Sequence, residues 1–152
     1  MPSFGGEMQI MKKINPVIFW ILSLTWGGIL TLIGLTVALV LVISGHKPKK
    51  FGCCIYFEIG ENWGGLELGA IFLTNKNPTF HIKQHEAGHG IQNIMFGVFM
   101  PFLVSIPSAV RYWHRIFLVE TGRKKESELS DYDSVWFEKQ ATKLGEKYFS
   151  NV

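Results

Sequence analysis

Residues 78–97 read PTFHIKQHEAGHGIQNIMFG, and their reading decides the fold. Asn77 is a suitable N-cap. Pro78 fits the first helical position, where its missing N–H costs nothing, and Gly97 is a natural stop. The spacing therefore predicts a helix from about Pro78 to Phe96. On that helix His85 and His89 lie one turn apart on one face. Two imidazoles so placed can bind one Zn2+ at about 2.0–2.1 Å. Glu86 lies beside them, placed to take a proton from water rather than to bind the ion. Bound zinc brings the pKa of water towards about 7, which makes hydroxide available at neutral pH. His81 is not expected to join them. Eight residues rise about 12 Å, so His81 and His89 would have to meet where the helix itself runs. Gln92, one turn beyond His89, is suited to hold a substrate carbonyl or a ligand's second ring nitrogen.

Two histidines leave a metal site incomplete. The downstream candidates for a third ligand are His114, Glu120, Asp131, Asp133 and Glu138. Packing favours Glu138, whose neighbours on a helical face are Val135, Ala141, Thr142 and Gly145, mostly small. A small-residue face lets one helix approach another closely, which a short Glu reaching a metal on the facing helix requires. The HEAGH helix has a matching feature. Gly88 and Gly90 each cost about 1 kcal/mol relative to Ala inside a helix, and close backbone approach explains tolerating both. His114 is a second candidate for a role at the site, as a donor to a developing oxyanion. It also fits an interfacial belt, Arg111-Tyr112-Trp113-His114-Arg115.

Around this helix the chain is unevenly apolar. Residues 14–43, INPVIFWILSLTWGGILTLIGLTVALVLVI, carry no charge. A bilayer core needs about 20 apolar helical residues, so the expectation over residues 14–44 is a transmembrane segment. A single tilted span is favoured over a pair of short helices broken near Gly27-Gly28, because two full spans need about 40 residues. A polar tail, residues 1–13, precedes it. Lys12 and Lys13 flank one end and Lys47, Lys49 and Lys50 the other, which places the C-terminal part on the cytoplasmic side. The net charge of +3 gives no reason to expect nucleic acid as a partner. Adjacent Cys53-Cys54 make no disulfide framework. A β-hairpin is expected from about Phe51 to Thr74, with Asn62-Trp63-Gly64-Gly65 at its centre. Val98 to Val110, with Pro101 and Pro107, is too short to span and reads as a re-entrant, membrane-associated element within residues 98–118. Ser130-x-x-Asp133 is expected to cap a last helix running to about Phe149. The expected architecture is an α+β membrane protein with its catalytic domain over residues 51–149.

The order of apolar span, H-E-x-x-H helix, apolar insertion and Glu-x-x-Ala helix resembles the HtpX-like and CaaX-prenyl-protease-like membrane metallopeptidases of the gluzincin group. That family's pattern is Glu-x-x-Ala-Asp, the Asp supporting a metal-binding His. Here it is Glu138-Lys139-Gln140-Ala141-Thr142, and Thr142 can accept a hydrogen bond from an imidazole but carries no charge. A closer resemblance, over about residues 57–148, is to small uncharacterised bacterial membrane proteins. It rests on Asn62-Trp63-Gly64-Gly65, His85 to Gln92, Ile106-Pro107-Ser108, and Trp136-Phe137-Glu138 through Leu144-Gly145. The resemblance implies a zinc-dependent metallopeptidase of the bacterial inner membrane, with a lipid bilayer and a polypeptide substrate as partners. The alternative is a non-catalytic membrane adaptor or immunity-type protein whose metal only ties two helices together. A di-iron carboxylate site is excluded by the lack of a second E-x-x-H, and a serine hydrolase of the G-x-S-x-G type by the lack of that motif.

Overall fold

The computed structural model describes residues 13–152, so the polar tail expected over residues 1–13 lies outside the described residues except for Lys13. Four short strands, β1 (Lys49–Phe51), β2 (Cys54–Glu58), β3 (Gly65–Leu68) and β4 (Ile71–Thr74), form one sheet in the order β1-β2-β4-β3. The single hairpin expected from Phe51 to Thr74 is thus two hairpins. β1 pairs antiparallel with β2, and β3 with β4, while β2 and β4 run parallel. The chain reverses at Gly52-Cys53 and Gly69-Ala70, where Gly52 (φ 58°) and Gly69 (φ 73°) adopt the positive φ such tight turns require. Asn62-Trp63-Gly64-Gly65 is not a hairpin tip. Its first three residues lie in the connection that carries the chain past the place of β4 to the sheet edge, and Gly65 opens β3.

Both faces of this sheet are covered at its centre, which is why the inner strands β2 and β4 are largely apolar while the edge strand β1 carries the exposed Lys49 and Lys50. Five α-helices lie among the described residues: α1 (Pro16–Leu24), α2 (Gly28–Ile43), α3 (Phe80–Phe96), α4 (Ile106–Glu120) and α5 (Trp136–Phe149). Cys54, Tyr56 and Phe72 point to one side, where they pack with Ala87 and Ile91 of α3, Phe149 of α5 and Phe19 of α1. Phe57, Ile71 and Leu73 point to the other and meet Val37, Ala38 and Leu41 of α2. Tyr56 and Phe72, paired across β2 and β4, stack with ring centroids 5.1 Å apart.

The single span expected over residues 14–43 is not formed. α1 and α2 are two helices bent by 98°, and among the described residues no single helix is long and apolar enough to cross a membrane. The bend is held from outside the segment. The Asn93 side-chain amide of α3 donates to the Gly27 carbonyl at 3.2 Å, and a Cβ on Gly27 would overlap that amide. Trp26 packs over Gly97 in the same way. Much of the outer surface of the pair is apolar, with Val17, Ile18, Ile21, Leu32 and Leu39 each more than half exposed.

Helix α3 stops at Gly97 as expected but begins later than expected. Its N-cap is Thr79, whose hydroxyl accepts from the Ile82 N–H at 3.2 Å. Asn77 instead takes a positive φ of 52°, which no N-cap adopts. The apolar stretch after α3 turns through 117° by way of a 3-10 turn (Gly97–Phe99) and a π-helical turn (Pro101–Ser105), then enters α4. Arg111 to Arg115 therefore sit inside a helix rather than after the end of the apolar element. Ile106, Val110, Trp113 and Phe117 make an exposed apolar stripe along α4. The expected cap at Ser130 to Asp133 is also corrected. α5 starts at Trp136 behind Val135, and Asp133 lies in a separate 3-10 turn, Tyr132–Ser134, with its carboxylate turned to Thr142.

Candidate metal centre

The His-Glu-x-x-His pattern of α3 is brought to α5 by the absence of side chains. A Cβ on Gly88 would overlap the Ala141 carbonyl, and one on Gly145 would overlap the Gln84 carbonyl. The two backbones touch, so a residue as short as Glu138 reaches across. The Nε2 atoms of His85 and His89 lie 3.1 Å apart, and Glu138 Oε2 lies 3.0 Å from the first and 3.1 Å from the second. Tetrahedral ligands about 2.0–2.1 Å from a zinc ion are separated by roughly 3.3–3.4 Å, so the triangle is close to the size such an ion requires. All three side chains are buried, and Glu138 is wholly so.

The hydrogen bonds behind the imidazoles fix which nitrogens face the centre. Gln92 Nε2 donates to the Phe137 carbonyl at 2.8 Å and to Gln140 Oε1 at 2.9 Å, so its Oε1, 2.7 Å from His89 Nδ1, accepts the imidazole N–H. Thr142 donates its only hydroxyl proton to Asp133 Oδ2 at 2.8 Å, so its oxygen accepts from His85 Nδ1, 2.9 Å away. With both Nδ1 atoms protonated, both neutral rings present bare lone pairs at Nε2, facing each other and a carboxylate oxygen. Three acceptors in mutual contact repel unless a cation lies among them. The donor set, two imidazoles and a carboxylate, is one zinc favours. Burial pushes the Glu138 carboxyl up. Without an ion, protons on the facing imidazole nitrogens together with the Ser108 hydroxyl outweigh that and hold it well below the usual range, and a metal cation would take the place of those protons. A metal cation acts in the same direction.

Beside the triad, Glu86 is buried and faces a cleft of about 940 Å3 lined also by His85, His89 and Glu138. Burial, with a further contribution from Glu138 and against the pull of His85, pushes the Glu86 carboxyl up to about 7. The backbone of β3 lies directly over it, since a Cβ on Gly65 would overlap the Glu86 carboxylate, and Gly64 before it has φ 104°. The two glycines of Asn62-Trp63-Gly64-Gly65 thus let the sheet edge close onto Glu86. Two residues along, Glu67 is a second buried carboxyl in the cleft wall. Burial pushes it well up, Glu86 adds to that, and the Gly69 N–H it accepts works against it.

The opposite wall is α4 and the segment after it. Ser108 donates to Glu138 Oε1, leaving Oε2 to the triad, and its Oγ lies 3.4 Å from the Tyr132 hydroxyl. Tyr132 faces the cleft, and burial is the first cause holding its phenol up at about 12, so it stays a proton donor at neutral pH. Arg111 fixes this segment by donating to the Asp131 and Tyr132 carbonyls and to Ser134 Oγ at 2.9–3.2 Å, and Arg115 donates to the Ser130 carbonyl at 2.6 Å.

The structure therefore brings together His85, Glu86, His89, Gln92, Glu138 and Thr142. It does not bring in His114, which is exposed on α4 and absent from the cleft lining. Its place opposite the triad is taken by Tyr132, which the sequence reading passed over. Glu120 and His81 line the cleft without joining the triad, and Asp133 stands behind Thr142 rather than at the centre. Set against protein-family models, curated proteins and solved structures, the chain finds no match.

Proposed function

We propose that the chain is a membrane-associated, zinc-dependent peptidase, with His85, His89 and Glu138 as ligands and Glu86 as general base. One observation supports this above the others. Three donors converge, no fourth His, Cys, Asp or Glu joins them among the described residues, and the residues that hold them open onto a large cleft. A structural zinc site is closed by four protein ligands, whereas a catalytic one keeps a position open. Zinc in this place supplies Lewis acidity, which brings water towards a pKa of about 7 and polarises a carbonyl.

The chain's own residues supply the rest. Glu86 accepts the proton of the attacking water and returns it to the leaving amine, a role suited to a carboxyl pushed up to about 7. Tyr132 donates its hydroxyl proton in a hydrogen bond to the substrate oxygen as that oxygen gains charge. Among the described residues β3 is paired only with β4, so its outer edge, beside Glu86, is open there to pair with a substrate backbone in extended form. Trp63, Leu66, Ile82, Val104 and Ile116 make the cleft walls largely apolar, which suits substrate side chains of the same kind. The apolar outer faces of α1, α2 and α4 suit a bilayer, and Lys47, Lys49 and Lys50 suit a domain on the cytoplasmic side of a bacterial inner membrane. A reporter fused at residue 125 that is active only outside the cell would refute that orientation.

The test of catalysis is Glu86→Gln. The variant should retain bound zinc and lose about 10²–10⁴-fold in kcat for peptide cleavage. Unchanged cleavage would remove Glu86 from the mechanism. A zinc-loaded wild type with no cleavage of any extended peptide would favour the non-catalytic adaptor.

A further inference from the structure

We propose that Asp133 is a positioning residue for His85, acting through the Thr142 hydroxyl. The inference rests on the metal reading above and concerns Asp133, which does not itself touch the ligand triangle. The chain of contacts is short at each link, 2.8 Å from Asp133 Oδ2 to Thr142 Oγ1 and 2.9 Å from there to His85 Nδ1. Its direction is set by proton count. A carboxylate only accepts and a threonine hydroxyl has one proton, so Thr142 donates to Asp133 and receives from His85. The imidazole is thereby held in the tautomer that turns the Nε2 lone pair to the centre. A negative charge stands at the far end of a polarised chain, which strengthens the ring as a ligand.

The two histidines are therefore supported differently. His89 rests on the neutral amide of Gln92, itself tied to Phe137 and Gln140 of α5. His85 rests on a charge delivered from outside α5, by a 3-10 turn that Arg111 of α4 holds through Asp131, Tyr132 and Ser134. Asp133 also precedes the N-terminus of α5, where any carboxylate favours the helix dipole. The test must separate that role from positioning.

Zinc affinity is measured by chelator competition on the full-length chain in detergent, for wild type, Asp133→Asn, Thr142→Val, Thr142→Ser and Asp133→Asn/Thr142→Val. Thr142→Val keeps shape and leaves Asp133 in place, so it spares the dipole. Asp133→Asn and Thr142→Val should each weaken zinc binding roughly 10–100-fold. The double variant should be no weaker than the worse single one, and Thr142→Ser should stay near wild type. Additive losses, or unchanged affinity in Thr142→Val, would overturn the proposal. A second readout does not depend on metal. Two-bond 1H–15N correlations of the metal-free protein should show His85 protonated at Nδ1 in wild type and Thr142→Ser, but not in Thr142→Val. Wild type that binds no zinc contradicts the metal reading, and the tautomer readout then decides the positioning role by itself.

Discussion

The cleft has two walls built on opposite principles. On the α3–α5 side the backbones are in contact, the ligands and Gln92 are buried, and their polar groups are hydrogen-bonded. On the α4 side the helix is amphipathic, has no fully buried residue, and is tied to its neighbours mainly by side chains of Ser108, Arg111 and Arg115. Under the proposed function, the difference suits the walls to different tasks. A metal centre tolerates little positional error, so its ligands sit where packing leaves no freedom. A substrate wall must admit and release polypeptide, which suits an element of low local stability.

That contrast can be broken most severely at Gly88. Gly88→Val places side-chain atoms against the Ala141 carbonyl, a backbone group that cannot rotate away. The expected cost is on the order of 3 kcal/mol or more, with loss of the zinc site, read by thermal denaturation and metal content. A folded, zinc-loaded variant would mean that the two helices are not in contact. On the opposite wall, Tyr132→Phe should leave fold and zinc content intact and lower kcat by about 10²–10³-fold, with little change in KM. An unaltered kcat would place Tyr132 in the structure of the wall alone.

The smallest effect is expected at Glu67, where the rigid side carries a cost. Its carboxyl is pushed well up by burial, so the folded chain keeps a proton that the unfolded chain releases. Stability from this group is complete below the unfolded pKa of about 4.3 and declines as pH rises above it. Glu67→Gln retains an oxygen for the Gly69 N–H and does not titrate. The variant should be more stable than wild type at pH 7 and equal to it near pH 4, by denaturant titration. A variant less stable at pH 7 would show that the ionised carboxylate is favoured.

The rigid wall was largely legible in the sequence because it obeys a helical period. His85, Glu86 and His89 follow from spacing, and Glu138 from a small-residue face opposite Gly88, a packing requirement visible as composition. Tyr132 and Asp133 were missed in their roles because they lie in a turn within an aperiodic segment, and Ser108 because its partners lie on other elements. Arg111 and Arg115 of α4, which bond the segment 130–134 in place, are visible, but their partners are mostly backbone carbonyls, which no sequence pattern marks. Residues 14–43 failed for another reason. Hydropathy registers an apolar segment but not its path, and the 98° bend is imposed by Asn93 and Gly97, some seventy residues away in sequence. The strands misled similarly, since a parallel pairing of β2 with β4 leaves no local signature and only the two glycine turns betray it.

The central claim is an open three-ligand zinc centre. Its most direct test is an anomalous-difference map at the zinc edge from crystals of the zinc-loaded, full-length protein. The expected result is one peak bounded by His85 Nε2, His89 Nε2 and Glu138 Oε2, with its remaining side open to the cleft beside Glu86. A peak elsewhere, or a fourth protein side chain closing that side, would contradict it.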